Sequence, residues 1–232
     1  MPDTERPSIR ALPLFADMEE PHFDILMRAA YIQNFPPMVD MITEGDPSDF
    51  LHIVLSGSVG LYSNWNNRET AMATVRPIST FILAATIRDA PYLMSARTLE
   101  KSRVVLLPSV DVRTVFAQDQ HFARAVVSEL AHCYRGVVRS TKDLKLRTSV
   151  ERLANYLLRQ QHRAGGSAEF TLNTEKRRLA SILGMTPENM SRAIKTLKPY
   201  GVEVHGNKVS IKNQGDLISF AKPSPLMDDF SA

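Results

Sequence analysis

The 232-residue chain has a single cysteine, Cys133. That scarcity excludes an internal disulfide, a four-cysteine zinc site and a cysteine-held iron–sulfur cluster. The chain has no apolar run near the roughly 20 residues that a membrane-crossing helix requires. Its first residues, MPDTERPSIRALPLF, lack the cationic start and apolar middle of a secretory signal. The expected setting is therefore a reducing cytoplasm, away from membranes. Internal repeats and low-complexity tracts are also missing. No Ser/His/Asp arrangement, phosphate-binding glycine loop or HExxH helix occurs, and the six histidines are scattered. No catalytic residue and no metal ligand is assigned, and the expectation is a protein that is not an enzyme.

What is present is ordinary in sum and uneven in distribution. A hydrophobic share of 44% and a charged share of 23% suit a globular chain with room for one large or two modest domains. The formal charge of +3 averages opposite regions. Residues 1–138 hold 12 Lys+Arg against 16 Asp+Glu, residues 139–213 hold 15 against 6, and residues 214–232 hold 1 against 3. A net of +9 confined to the back of the chain points to a polyanionic partner for that part, although an unevenly charged solvated surface has the same signature.

The hydrophobic period changes twice. From about Pro13 to Tyr31 it is helical, with Phe23, Leu26, Met27 and Ala30 in register, and Pro36-Pro37 stops it. From Met38 to Leu107, short apolar runs alternate with turns such as Glu44-Gly45-Asp46, Ser56-Gly57-Ser58 and Asn64-Trp65-Asn66-Asn67. Strands are expected at Phe50 to Leu55, Ser58 to Tyr62, Thr70 to Val75 and Ser102 to Leu107, in a small sandwich or barrel. From about Val110 the period is helical again. Gln120 to Leu146 is free of proline and carries Val126, Leu130, Cys133, Val137, Thr141 and Leu144 at near-heptad spacing. This reads as a coiled-coil seam, or else as a face packed on its own domain. A further amphipathic helix is expected from Ser149 to Gln161, broken by Ala164-Gly165-Gly166-Ser167. The tail from Pro223 reads as loosely ordered.

The basic region carries the sharpest motif. Thr174 is placed to cap a helix over Glu175 to Leu183, Gly184 to make a left-handed turn, and Thr186 to cap a second helix with Pro187 in its first position. Met190, Ala193, Ile194 and Leu197 form an inward face. Glu188, Ser191, Arg192 and Lys195 share the outward one. That is the layout of a helix-turn-helix whose second helix enters the major groove of DNA. Arg donates two bonds to guanine, Glu accepts from cytosine N4, and Ser bonds either kind of edge. The backbone-contact set is Thr174, Lys176, Arg177, Arg178, Thr186, Asn189 and Lys208, which adds affinity without sequence information. The segment VEVHGNKVSIK, with Gly206-Asn207 at its centre, reads as a hairpin wing, with Lys208 and Lys212 toward phosphate. An ordinary helical hairpin with a charged face is the plainer alternative.

Over nearly its whole length the sequence resembles the superfamily of the catabolite activator and the fumarate–nitrate regulator. The residues that carry the resemblance are the run Ile42 to Asp49, the Val54-Leu55-Ser56-Gly57-Ser58-Val59 strand, the long seam helix and the winged helix-turn-helix. It implies an α+β fold: an N-terminal cyclic-nucleotide-binding-type β-roll (a double-stranded jelly roll), a long dimerisation helix and a C-terminal winged helix-turn-helix. The implied segments are 1–118 for the sensory roll and its N-terminal helices, 119–146 for the dimerisation helix, 147–222 for the DNA-binding domain and 223–232 for a flexible tail. Glu188-x-x-Ser191-Arg192 is similar to the fumarate–nitrate branch. That branch implies palindromic TTGAY-type half-sites, with Glu188 and Arg192 on the GA·TC core and Ser191 on an adjoining thymine. The resemblance further implies a homodimer, double-stranded DNA and RNA polymerase as partners, and activation as the usual outcome.

The departures from the family pattern concern the signal. Cyclic-AMP-binding members carry a Phe-Gly-Glu-Leu-like cassette followed by an Arg-Ser pair. The corresponding stretches here are Phe81-Ile82-Leu83-Ala84-Ala85 and Leu93-Met94-Ser95-Ala96, so Ala84 stands for the ribose-binding Glu and Met94 for the phosphate-binding Arg. Burying a cyclic phosphate without that arginine costs several kcal/mol, so cyclic nucleotides are not the expected effector. The iron–sulfur branch requires an N-terminal cysteine cluster that this chain lacks. What remains is an apolar effector pocket of Phe81, Ile82, Leu83, Ala84, Leu93, Met94 and Ser95, with the effector unidentified. Haem is one candidate cofactor, as in the nitric-oxide and carbon-monoxide sensors of the superfamily, with His22, His52, Met94, His121 or His132 as axial ligands. A β-roll serving as the regulatory module of an assembly that does not bind DNA is the alternative from another class.

Overall fold

The structure, a computed structural model, describes residues 4–228 and divides between Cys133 and Tyr134 into two compact units. The first begins with two helices, α1 (Arg6–Arg10) and α2 (Glu20–Ala29). Phe23, Leu26 and Met27 of α2 recur three and four residues apart, and all are buried on one face. The helix ends at Ala29, short of the expected Tyr31. Ala30 is already extended, and strand β1 (Tyr31–Phe35) follows, paired residue by residue with Ser102 to Leu106. The sequence gives β1 no alternation of its own; a partner seventy residues away makes it a strand.

The remaining strands are β2 (Asp40–Ile42), β3 (Phe50–Ser56), β4 (Val59–Trp65), β5 (Arg68–Val75), β6 (Ser79–Phe81), β7 (Ser95–Thr98) and β8 (Ser102–Pro108). Helix α3 (Leu83–Arg88) interrupts them, and α4 (Ser109–Gln118) follows. They form two four-stranded antiparallel sheets, ordered β1-β8-β3-β6 and β2-β7-β4-β5. Four strands lie where the sequence places them. The short β2, β6 and β7 are below the length at which alternation shows. The β4–β5 hairpin turns through Asn66 and Asn67, both with positive φ, the geometry that favours Asn in a two-residue loop.

Side-chain alternation along β3 separates two cores. Leu51 and Ile53 join a cluster built with Phe15, Phe23, Leu26, Val112, Phe122 and Val126 on the helical side. Val54 faces the opposite way, into a cluster with Ile42, Val59, Leu61, Phe81, Tyr92 and Ala96 drawn from both sheets. That second cluster is the interior of the roll.

Helix α5 (Gln120–Leu146) has the bounds the sequence suggests. The buried Asp119 carboxylate starts it, accepting the N–H of Phe122 at 2.9 Å and that of Glu19 at 2.9 Å. The expected seam divides. Val126 is fully buried in its own unit's core and Leu130 packs partly against it, whereas Cys133, Val137, Thr141 and Leu144 are exposed. The neighbouring Val127, Tyr134 and Val138 are exposed as well. At its N-terminal end the heptad pattern is thus core packing.

The second unit contains α6 (Ser149–Arg163), β9 (Glu169–Thr171), α7 (Lys176–Ile182) and α8 (Pro187–Leu197). After a 3-10 turn at Lys198–Tyr200 come β10 (Val202–His205), β11 (Lys208–Ile211) and α9 (Gln214–Ala221). Thr148 caps α6 in a reciprocal box with Glu151. The core joins Leu153, Leu157 and Leu158 of α6 to Leu179, Met190, Leu197, Val209 and Leu217. The three-stranded sheet is ordered β10-β11-β9, so the wing has a third strand beyond the expected hairpin. Its signal was the alternation Phe170, Leu172 in a short stretch after the glycines.

The tail departs from the sequence reading. Residues 223–228 fold back as a turn, and Asp228 is buried. The last expected tail residues, 229–232, lie outside the described residues.

Candidate nucleic-acid interface

The second unit builds its exposed helical face from two helix starts and a turn. Glu175 stands at the N-cap of α7 and makes no side-chain cap bond. The expected cap at Thr174 is not formed, because the helix begins one residue further on than the sequence suggests. Leu179 and Ala180 are buried, the latter without any accessible surface, as a close helix crossing requires. Gly184 then turns with φ +63°; a Cβ there would lie 2.6 Å from Leu144 Cδ2. Leu144 is half exposed and its methyl can move aside, so it is the left-handed backbone that favours glycine here. Thr186 Oγ1 accepts the N–H of Asn189 at 3.2 Å, and Pro187 occupies the first position of α8, where no N–H is missed.

Met190, Ala193 and Leu197 anchor α8 in the core, and this fixes its opposite side outward. Glu188, Ser191, Arg192 and Lys195 are all exposed there. Ser191 Oγ donates to the carbonyl of Pro187 at 3.0 Å, leaving its lone pairs as acceptors. Arg192 Nη2 donates to Asn189 Oδ1 at 2.5 Å. The Glu188 carboxyl is held below its usual pKa by its own backbone N–H, by the Thr186 hydroxyl and by the charge of Arg192. It is thus an acceptor at neutral pH, as pairing with a cytosine amine requires.

Around this face Arg177 is exposed and Lys176 and Arg178 are half-buried. On the wing, Lys208 is exposed, but Lys212 Nζ pairs with Glu203 at 2.7 Å instead of standing clear for phosphate. Gly206, with φ +58°, makes the turn between β10 and β11, and His205 is exposed beside it.

The first unit distributes the expected effector-pocket residues less tidily. Phe81 is buried in the roll interior, with Ile82 and Met94 packed against it. Ser95 Oγ accepts the N–H of Glu44 at 3.0 Å. Leu83, in contrast, belongs to the helical core, Ala84 is exposed, and Leu93 is 81% exposed. The cause is local: Ile82 takes φ +63°, and the chain turns there from strand into helix, carrying Leu83 away from the roll.

The five haem-ligand candidates do not converge. His22 Nδ1 pairs with Asp119 Oδ2 at 3.1 Å, and His121 and His132 are exposed. His52 is buried, stacks on Phe81 at a centroid distance of 5.0 Å and contacts Tyr92 at 6.4 Å; its Nδ1 has no partner. Burial depresses its pKa to about 4, against a smaller opposing effect of the Phe50 backbone. His52 and Met94 are the two candidates associated with the roll interior.

Comparison with known proteins matches both units. A cyclic nucleotide-binding domain model matches residues 32–119, and a Crp-like helix-turn-helix domain model matches residues 151–220. The chain is similar to the CRP-like cAMP-activated global transcriptional regulator of Mycobacterium tuberculosis. The two are 23% identical over 215 residues, spanning 90% of this chain and 96% of that protein. Among solved structures it is similar in fold to FixK2 from Bradyrhizobium japonicum, with a TM-score of 0.71 and 21% identity over 84% of this chain and 98% of that one. It is also similar to a CooA mutant from Carboxydothermus hydrogenoformans, with a TM-score of 0.69 and 17% identity over 84% and 89%.

Proposed function

We propose that this chain, which belongs to the catabolite activator and fumarate–nitrate regulator superfamily of DNA-binding transcription regulators, is a homodimer that reads palindromic TTGAY-type sites and activates transcription in response to a signal other than a cyclic nucleotide. The observation that carries the DNA reading is the single exposed face of Glu188, Ser191, Arg192 and Lys195 on a capped helix whose other side is locked in a core. Lys176, Arg177, Arg178 and Lys208 supply phosphate neutralisation, so log affinity falls linearly with log salt. Fluorescence anisotropy on a TTGAY palindrome and on a scrambled duplex, over a salt series, tests this. Equal affinity for both duplexes at every salt concentration refutes base reading.

The dimer is supported by the apolar side chains that α5 leaves in solvent, among them Tyr134 at 70% and Val137 at 63% exposure. Paired along such helices, two recognition helices would address half-sites one DNA turn, about 34 Å, apart. Activation implies a contact with RNA polymerase. A non-cyclic-nucleotide signal is supported by Met94 at the place of the phosphate-binding arginine and by the exposed Ala84 at that of the ribose-binding glutamate.

His52 favours a second reading, a haem-dependent gas sensor. An unpartnered imidazole nitrogen inside an apolar roll, with Met94 packed on the same interior, suits an iron ligand, and bound haem would supply gas binding at its iron. An absorption spectrum of protein expressed with haem supplied decides between the two: a Soret band lost in His52→Ala supports the sensor, and a colourless protein rejects it.

A further inference from the structure

The second unit contains a buried charge cluster that the reading face does not use. Asp228, whose side chain has no accessible surface, accepts from Arg147 Nη1 at 2.9 Å and from Arg147 Nη2 at 2.5 Å, one bond to each oxygen. Arg159 Nη1 adds a bond at 2.6 Å, and the backbone N–H of Ser224 another at 2.8 Å. Arg147 also reaches Asp143 on α5 at 2.9 Å. A forked guanidinium–carboxylate pair of this kind is directional as well as strong, and breaking one side of it in a buried setting leaves the other charge stranded.

Arg147 stands at the junction of α5 and α6, and its carbonyl is not spent on either helix. It accepts from Arg152 Nη1 at 2.6 Å. Arg152 is itself buried, and its other bonds go to backbone: Nε donates to the carbonyl of Leu183 at 2.8 Å and Nη2 to that of Gly184 at 3.2 Å. Those two carbonyls are the end of α7 and the turn from which α8 departs. One guanidinium therefore bolts the α5–α6 junction to the helix-turn-helix turn, and the Asp228 pair holds the residue it is bolted to.

We propose that Asp228 is a positioning residue for DNA reading. Through Arg147 and Arg152 it holds the turn that aims α8, so the C-terminal segment governs specific affinity without touching the reading face. This rests on the DNA-reading function above. Base recognition depends on the aim of four side chains, whereas non-specific affinity depends on charge, which loss of Asp228 does not reduce.

The test uses the full chain carrying Asp228→Asn, at a temperature where circular dichroism shows the native signal. Anisotropy is measured on a TTGAY palindrome and on a scrambled duplex. The expected result is about a tenfold loss on the palindrome with the scrambled duplex within about twofold of wild type. Unchanged affinity for both overturns the proposal. So does an equal loss on both, which marks lost folded protein and not lost aim. If wild type itself shows no preference between the duplexes, the base-reading function has failed, and amide hydrogen exchange then decides the coupling. Faster exchange at Leu183, Gly184 and Met185 in the variant supports it, and unchanged exchange there rejects it. Should Asp228→Asn not fold, Arg159→Gln, which removes only the outer ion pair, replaces it with the same readouts and a smaller loss.

Discussion

His52 makes acid stability of the roll a quantitative prediction. Its imidazole is buried between Phe81 and Tyr92, with one nitrogen unpartnered, and its pKa falls from 6.5 to about 4. The folded group therefore holds its proton less tightly than the unfolded one. Between the two values the unfolded chain binds a proton that the folded chain does not, so stability rises with pH there. The contribution is complete above about pH 6.5 and lost as pH falls to about 4. A shift of this size corresponds to about 3 kcal/mol in full, most of which disappears between pH 7.5 and pH 4.5. Carboxylates titrate in the same range, so the useful quantity is a difference of differences. Wild type and His52→Phe, a ring that can occupy the same apolar site without titrating, are unfolded in urea at pH 7.5 and pH 4.5 and followed by circular dichroism. The transition assigned to the roll should lose about 2–3 kcal/mol more in wild type than in the variant. An identical pH dependence in the two proteins would falsify the burial argument.

Four further outcomes follow from particular residues. Arg192→Ala should cost about 1–3 kcal/mol on a TTGAY duplex and relax preference at one base pair. Asn189→Ala should relax the same base pair, and a double-mutant cycle should show its effect vanishing in the Arg192→Ala background, since Asn189 accepts from that guanidinium. Gly184→Ala should destabilise the second unit by about 1 kcal/mol, seen as a lower melting temperature, because it imposes a strained positive φ. Tyr134→Glu with Val137→Glu should shift the mass from light scattering toward that of a monomer while the helical signal persists; an unchanged mass would place the dimer contact elsewhere.

The recognition helix was legible because each of its features is local. A cap bonds three residues ahead, a proline suits one position, a turn needs a glycine, and a 3.6-residue period sorts inward from outward residues. The long helix was legible for the same reason, down to its terminal residues. Which of its apolar residues the fold buries was not, since Val126 and Val137 are equivalent as sequence and differ only in what the fold places beside them. Thr174 was misplaced by one residue at a helix start, where competing caps differ little in energy.

The effector region shows the same limit more sharply. Phe81, Leu83 and Leu93 are alike in sequence, yet one lines the roll, one joins the helical core and one is in solvent; between the first two, the backbone at Ile82 reverses the side on which the next residue falls. His52 could be a surface or a core imidazole until the pairing of β3 between β8 and β6 enclosed it.

The lack of an internal disulfide, the basic back of the chain, the helix-turn-helix and the exposed face of its second helix could all be read from residues near one another along the chain. Folding alone brings buried Arg147, Arg152 and Asp228 together, with the half-buried Arg159 at the edge of the cluster. Arg147 and Asp228 are 81 positions apart, and no periodicity couples charges at that distance; folding brings them together, and burial makes their pairing obligatory.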